Sequence, residues 1–542
     1  DVLPPKYQSA GMYAFAEGDG DPLVPGPLLR VRQGTLLRVR LENPTDAPFV
    51  VHGLSAHMRP AMDLVRLAPG ESRVVEFPAD AEGTYHYWGA VPESDTDVPT
   101  LEDRYASPSA VLGGAFVVDP REDEIGPDRV FLMNTYGHRW TADTPDELLG
   151  DLLTINGRPW PFTERVEAEL GDTLDWRWIN ASERTHPMHL HGFYFQVTAK
   201  GDEAKDTLYW PSQRRMAVTE AMDLGTTLRL RWIPDRPGGW LFHCHLTFHV
   251  LPNPVLGTVA PSFEEVGTEL LLGNAHHDPN HHVEQGMGGL MMAVRVRAPD
   301  GWQPPGGPRR TLRLLVQSDS TPAPDTASHL VTAGPYRRRF AFVLQDGDRE
   351  PRPDSVQLPG STLVLRKGEP TSIWVVNRTP EPTSIHWHGV ELENYFDGVV
   401  GVGGMPGMPT PAVMPSDSFE VRLTPPRAGS FMYHTHLNDV RQQSAGLYGP
   451  IVILDEDAAW SPARDKVFIT GWSPEADGVF LNGTLTPDTL EVREGESYRF
   501  RLMNVTLGNP ELRFRLVRNG DTSFWLPVAK DGFDIPEHQR VE

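Results

Sequence analysis

Leu174-Asp175-Trp176-Arg177-Trp178-Ile179 alternates apolar and polar side chains and then runs into Asn180. A β-strand with one buried face needs this alternation, because successive side chains point to opposite sides of a sheet. The pattern recurs along the chain. Leu36-Leu37-Arg38-Val39-Arg40-Leu41 leads to Asn43, Ser372-Ile373-Trp374-Val375-Val376 to Asn377, and Tyr498-Arg499-Phe500-Arg501-Leu502-Met503 to Asn504. One unit is therefore repeated four times, and the second is enlarged. In the first three units an aromatic strand follows a Gly-containing turn: Gly83-Thr84-Tyr85-His86-Tyr87-Trp88, Gly239-Trp240-Leu241-Phe242-His243-Cys244-His245 and Gly429-Ser430-Phe431-Met432-Tyr433-His434-Thr435-His436. Too little sequence follows Asn504 for this strand to return, so the fourth unit is expected to be partial. The fold class that follows is all-β, a tandem of Greek-key sandwiches or barrels. The expected divisions are 1–122, 123–303, 304–458 and 459–542, at Pro/Gly-rich joints such as Pro304-Pro305-Gly306-Gly307-Pro308.

Composition narrows the function classes. The chain has 542 residues, with 73 acidic against 49 basic residues and a net charge of −24. Nucleic acid and anionic membrane surfaces are therefore excluded as main partners, since both need basic patches. No apolar run approaches the roughly 18 residues of a spanning helix. Asp1 opens without the charged and apolar regions of a secretory leader. The 50 glycines and 52 prolines suit many short strands joined by turns. A single cysteine excludes a disulfide framework, a Cys-rich zinc module and a Cys-ligated iron–sulfur cluster.

That cysteine is Cys244, inside His243-Cys244-His245-Leu246-Thr247-Phe248-His249. The same unit holds His186-Pro187-Met188-His189-Leu190-His191-Gly192. The next holds His386-Trp387-His388-Gly389 and His434-Thr435-His436. Residues two apart on a strand share a face, so each His-x-His pair aims two imidazoles at one place, while Cys244 points the other way. A thiolate with two imidazoles and a weak axial thioether is the ligand set of a blue-copper site. An all-imidazole cluster suits copper, and zinc or iron would also accept it.

Together these four motifs resemble those of the multicopper oxidases, the family of laccases and ceruloplasmin-like ferroxidases. The resemblance implies cupredoxin-like units and four coppers per chain. It assigns His186, Cys244 and one further histidine to type 1 copper, and His189 and His386 to type 2. His191, His243, His245, His388, His434 and His436 fall to the type 3 pair. Asp397, eleven residues after His386, matches a carboxylate that assists proton delivery near type 2 copper. The implied reaction is one-electron oxidation of a small phenolic, aromatic or metal-ion reductant, coupled to reduction of O2 to water. The implied setting is periplasmic or secreted, with any leader already removed. Oligomeric state stays open between a monomer and a homo-oligomer.

The departures are specific. In the family the second type 1 histidine lies five residues after the cysteine and the axial residue five later. His249 keeps the first spacing, but Pro254 then takes the axial place and cannot ligate. His282 and Met287 restore the second spacing, as if about 250–281 were inserted. A His and Met on one tight loop reach a metal together, so His282 is favoured over His249, with Met287 axial in either case. Val250 stands where many relatives carry a proton-relaying Glu. The two metal-bearing units are also adjacent and in reversed order, so the three-copper cluster must form between units two and three, within one chain or across subunits. Unit one keeps His52 and His86 at the motif places and is read as a cupredoxin without copper. The alternatives are a copper nitrite reductase-like enzyme and a non-catalytic copper-binding or sequestering protein.

Overall fold

The structure is a computed structural model. It describes residues 12–542 apart from 57–63, 107, 123–125, 137–151, 251–286, 320–338, 354, 438, 474–477, 488, 509–511, 513, 519–520, 538–539 and 541–542. The architecture is almost entirely β, in successive sets of sheets. Among the described residues no helix is long and apolar enough to cross a membrane.

The strand Leu174–Asn180 lies parallel to Asp128–Tyr136 on one side and antiparallel to Thr227–Trp232 on the other. Trp176 and Trp178 face inward, fully buried, against Phe131, Trp232 and Phe242. Burying a large apolar side chain is worth about 1.5–3 kcal/mol, so this aromatic layer is a main source of stability. Facing it is a second sheet, ordered Arg165–Ala168, Met291–Val296, Gly238–Cys244, His186–Leu190 and Thr219–Met222. The third set repeats the plan. Thr371–Asn377 again runs parallel to its predecessor, Arg310–Ser318, and the facing sheet is Leu363–Arg366, Tyr448–Leu454, Gly429–Thr435 and Ile385–His386. Arg499–Asn504 likewise lies parallel to Asp465–Ser473 near the end of the chain.

Each strand ends at its asparagine because the side chain there closes a turn. Asn180 Nδ2 donates to the carbonyls of Arg184 (2.7 Å) and Met222 (2.8 Å), and Asn180 Oδ1 accepts from the Ser182 hydroxyl (2.7 Å). Asn43 with Thr45, Asn377 with Thr379 and Asn504 with Thr506 repeat the asparagine–hydroxyl bond. The repeat seen in sequence as an asparagine is thus an Asn-x-Ser/Thr turn that competes successfully with strand continuation.

The second and third sets meet where Gly238–Cys244 begins. Asn394 pairs with the backbone of Gly239 like another strand, accepting from its N–H (3.0 Å) and donating to its carbonyl (2.7 Å). A Cβ on Gly239 would sit 2.1 Å from the Val402 carbonyl, so glycine permits this approach.

Candidate metal centre

Two antiparallel strand pairs carry the His-x-His motifs. His189 lies opposite His243 in one set of sheets, and His386 lies opposite His434 in the next. These pairs face each other across the interface, within one chain. His189 Nε2 is 3.2 Å from His386 Nε2, His191 Nε2 is 2.9 Å from His243 Nε2, and His245 Nε2 is 3.4 Å from His434 Nε2. His388 stacks on His189 at 3.9 Å, and the His436 ring lies 5.1 Å from His191 and 5.8 Å from His243. All eight imidazoles thus gather between the two sets, and within the cis arrangement no second copy of the chain is needed.

The outer nitrogens fix what the inner ones present. His189 Nδ1 donates to the Val218 carbonyl (2.8 Å), His243 Nδ1 to the Cys244 carbonyl (2.8 Å) and His434 Nδ1 to the Thr435 carbonyl (2.7 Å). His191 Nδ1 donates to Asp397 Oδ2 (2.8 Å), and His386 Nδ1 to the Asp397 carbonyl (3.1 Å). With Nδ1 protonated, each of these five rings turns an Nε2 lone pair inward. Burial also pushes several of the imidazoles far below their usual pKa, to about 4 for His243 and about 3 for His434. Neutral lone pairs facing one another at 2.9 and 3.2 Å repel unless a cation stands between them. The donor set therefore fits metal, and imidazole suits copper.

A second group sits on the other face of the same strand. Cys244 Sγ is 3.5 Å from His186 Nδ1 and 3.4 Å from His249 Nδ1, and the two nitrogens are 2.9 Å apart. His186 Nε2 bonds the Ser182 hydroxyl at 2.5 Å, which leaves its Nδ1 for the site. The serine comes from the Asn180 turn, so the element that ends the strand also orients this ligand. Burial pushes the Cys244 thiol up to about 12 and His249 down to about 3. A bound cation would reverse the first effect by ionising the thiol.

Among the described residues His249 completes this group; His282, which the spacing favours, lies outside them. The chain leaves the site at Val250 and returns to the same spot. Gly288 N–H donates to the Val250 carbonyl (3.0 Å) and Leu290 N–H to the His249 carbonyl (3.1 Å). Met287, just before the Gly288–Val250 bond, is buried in the same core cluster as Cys244 and Val250. Gly289, at φ +61°, allows the closure, because a Cβ there would lie 2.3 Å from the His249 carbonyl.

Unit one needs a correction at His86. His52 occupies the place of His189 and His386, but the residue opposite it is Trp88, stacked on His52 at 4.1 Å. His86 lies two residues earlier on that strand and pairs with Ala115, away from the motif place. In the third set, Thr435 stands where Cys244 does. There Gln442 Oε1 accepts from both Thr383 (2.8 Å) and Thr435 (2.9 Å), so an amide fills the centre.

The residues that sequence spacing could not supply are Ser182, Thr219, Asn394 and the Asn-turn partners of the ligands. Only the Ser182 position carried a local signal, the recurring Asn-x-Ser/Thr.

Two family models, each described as multicopper oxidase, match the chain. One matches residues 21–121 and again 355–458, and the other matches 128–253. A copper resistance protein A homolog of Pseudomonas syringae pv. tomato is 36% identical over 96 residues, 18% of this chain and 15% of that protein. The multicopper oxidase MmcO of Mycobacterium tuberculosis is 28% identical over 194 residues, 34% of this chain and 36% of that one. The crystal structure of a blue copper oxidase from Nitrosomonas europaea aligns with a TM-score of 0.37 at 20% identity, over 51% of this chain and 77% of that one. The chain thus spans well under half the length of these curated relatives. With both family models matched, the chain belongs to the multicopper oxidase family.

Proposed function

We propose that the chain is a laccase-like multicopper oxidase, taking single electrons from a small phenolic, aromatic or metal-ion reductant and passing them to O2, which is reduced to water. The observation that carries this reading is the eight-histidine cluster with inward lone pairs, one residue away from a Cys–His–His group on the same strand. His186, Cys244 and His249, with Met287 from the same buried cluster, would hold type 1 copper. His189 and His386 would hold type 2. His245, His388 and His434 would hold one type 3 ion, and His191, His243 and His436 the other. When bound, copper supplies the one-electron redox steps that no side chain here can perform.

The residues do the rest. Cys244 adjoins His243 and His245 in the backbone, so one peptide unit separates the two ligand sets. Asp397, fully buried, lies against both His191 and His386 and orients both rings. Burial raises its proton affinity, although the neighbouring His386 opposes this, which suits a group that hands on protons. Val250 offers no such group after His249, so Asp397 carries that role. We place the protein outside the cytoplasm, where a strongly acidic surface also steers cationic reductants.

Copper per chain and O2 uptake with a phenolic dye test this reading. Four coppers and dye-dependent O2 consumption are expected. Two coppers with nitrite reduction would instead mark a nitrite reductase-like enzyme, and copper without turnover a sequestering protein. The type 1 assignment has its own check: His249→Ala is expected to bleach the blue absorption, whereas His282→Ala keeps it. The opposite pattern would return the ligand role to His282.

A further inference from the structure

The fourth unit has no His-x-His motif, yet one of its turns reaches the support of the histidine cluster. The strands Ala529–Lys530 and Phe533–Asp534 form a hairpin whose tip, Asp531 and Gly532, lies against both metal-bearing sets of sheets. Asp531 Oδ2 accepts the backbone N–H groups of Val218 (3.2 Å) and Thr219 (3.3 Å). Lys530 Nζ donates to the Thr219 carbonyl (3.1 Å) and to Glu220 (3.2 Å). The Tyr194 hydroxyl sits between the carbonyls of Asp531 and Gly389, the residue after His388. Arg427 covers the Tyr194 ring at 4.4 Å and the Phe533 ring at 4.1 Å, closing the hairpin down.

What the hairpin grips is the segment on which two cluster histidines lean. Val218 accepts from His189 Nδ1, and Thr219 Oγ1 stands 3.1 Å from that nitrogen and 3.2 Å from His388 Nε2. His388 Nδ1 is buried with no hydrogen-bond partner among the described residues. His388 therefore differs from the five rings that are anchored through Nδ1, because its anchored nitrogen is Nε2.

We propose that Thr219, clamped by the Lys530–Asp531 turn, is a positioning residue for the three-copper cluster: it accepts the Nε2 proton of His388, so that His388 offers Nδ1 to copper while five partners offer Nε2. The fourth unit thereby acts on the metal centre without contributing a ligand. A wrong His388 tautomer would place a proton where the ligand lone pair belongs, and the cluster would lose one donor. The proposal rests on the oxidase reading given above.

The test loads the full chain with copper and compares wild type with Thr219→Val, Thr219→Ser and Asp531→Ala. Thr219→Val keeps the side-chain shape and removes the acceptor. It is expected to weaken copper retention in the cluster about 10–100-fold against a chelator. It should also alter the electron paramagnetic resonance signal of the type 2 ion, with the blue absorption of the Cys244 site unchanged. Thr219→Ser restores both, and Asp531→Ala moves them in the Val direction by a smaller factor. Unchanged copper retention and an unchanged signal in Thr219→Val overturn the proposal. If Thr219→Val does not fold, the Asp531→Ala signal decides, and a wild-type signal there overturns it equally. A wild-type chain that never loads copper beyond the blue site would instead defeat the oxidase reading itself.

Discussion

Cys244→Ser is expected to abolish the intense blue absorption and all reductant-driven O2 uptake, while the histidine cluster still takes up its three coppers. The serine oxygen is smaller and far less acidic than a thiol whose own ionisation is already pushed to about 12 by burial. It therefore cannot supply the charged, soft donor that, with His186 and His249, makes a blue-copper site. The cluster should survive because it uses nothing from the Cys244 side chain. His243 is oriented by the Cys244 backbone carbonyl at 2.8 Å, which the substitution leaves in place. Absorption, copper per chain and O2 uptake measured on one preparation separate the two effects. A variant that stays blue would remove Cys244 from the type 1 site, and one that loses all copper would show the two sites to be a single folding unit.

The sequence made the strands and the faces of the His-x-His pairs legible because those depend on local periodicity. Trp176 and Trp178 announce one buried face whatever lies opposite, and the two-residue period of a strand puts His243 and His245 on the face that Cys244 avoids. The choice between His249 and His282 was not legible for a physical reason. Closing a flexible loop costs only about 0.6 kcal/mol more for each doubling of its length, so an insertion is tolerated equally well on either side of His249. Spacing cannot distinguish the two; what the fold adds is His249 beside Cys244, with the chain returning to it through Gly288 and Leu290. Trp88, not His86, holds the motif place in unit one because that place is set by cross-strand register opposite His52, which a lone histidine in the sequence does not reveal. Asn394, Thr219 and Asp531 left no trace in any periodicity. Their partners lie far away in sequence, and their value arises only when the two metal-bearing sets of sheets meet.

Asp397→Asn should separate orientation from charge at the cluster. In the native chain Asp397 Oδ2 accepts from His191 Nδ1 at 2.8 Å, and Oδ1 lies 3.2 Å from His386 Nδ1, whose proton goes to the Asp397 carbonyl. The carboxylate accepts from His191 and keeps its second oxygen against the His386 ring. Asparagine has one oxygen and one NH2, so either His191 or His386 must meet a donor and turn its ring or its tautomer. Backbone relaxation cannot relieve this. Gly398, at φ +83°, is held so close that a Cβ would lie 1.9 Å from the Ile385 carbonyl, which fixes where Asp397 stands. The expected result is a loss of about 10–100-fold in cluster copper affinity and in O2 reduction, the range typical when a carboxylate partner of a ligating histidine is removed. The blue absorption stays, since His186, Cys244 and His249 share no hydrogen bond with Asp397. Asp397→Ala removes the carboxylate acceptor of His191 without adding a donor and leaves His386 its backbone carbonyl. It should therefore cost no more copper than Asp397→Asn if orientation dominates, but should reduce turnover further if the carboxyl also relays protons. Full copper loading together with wild-type O2 uptake in Asp397→Asn would show that neither role belongs to this residue.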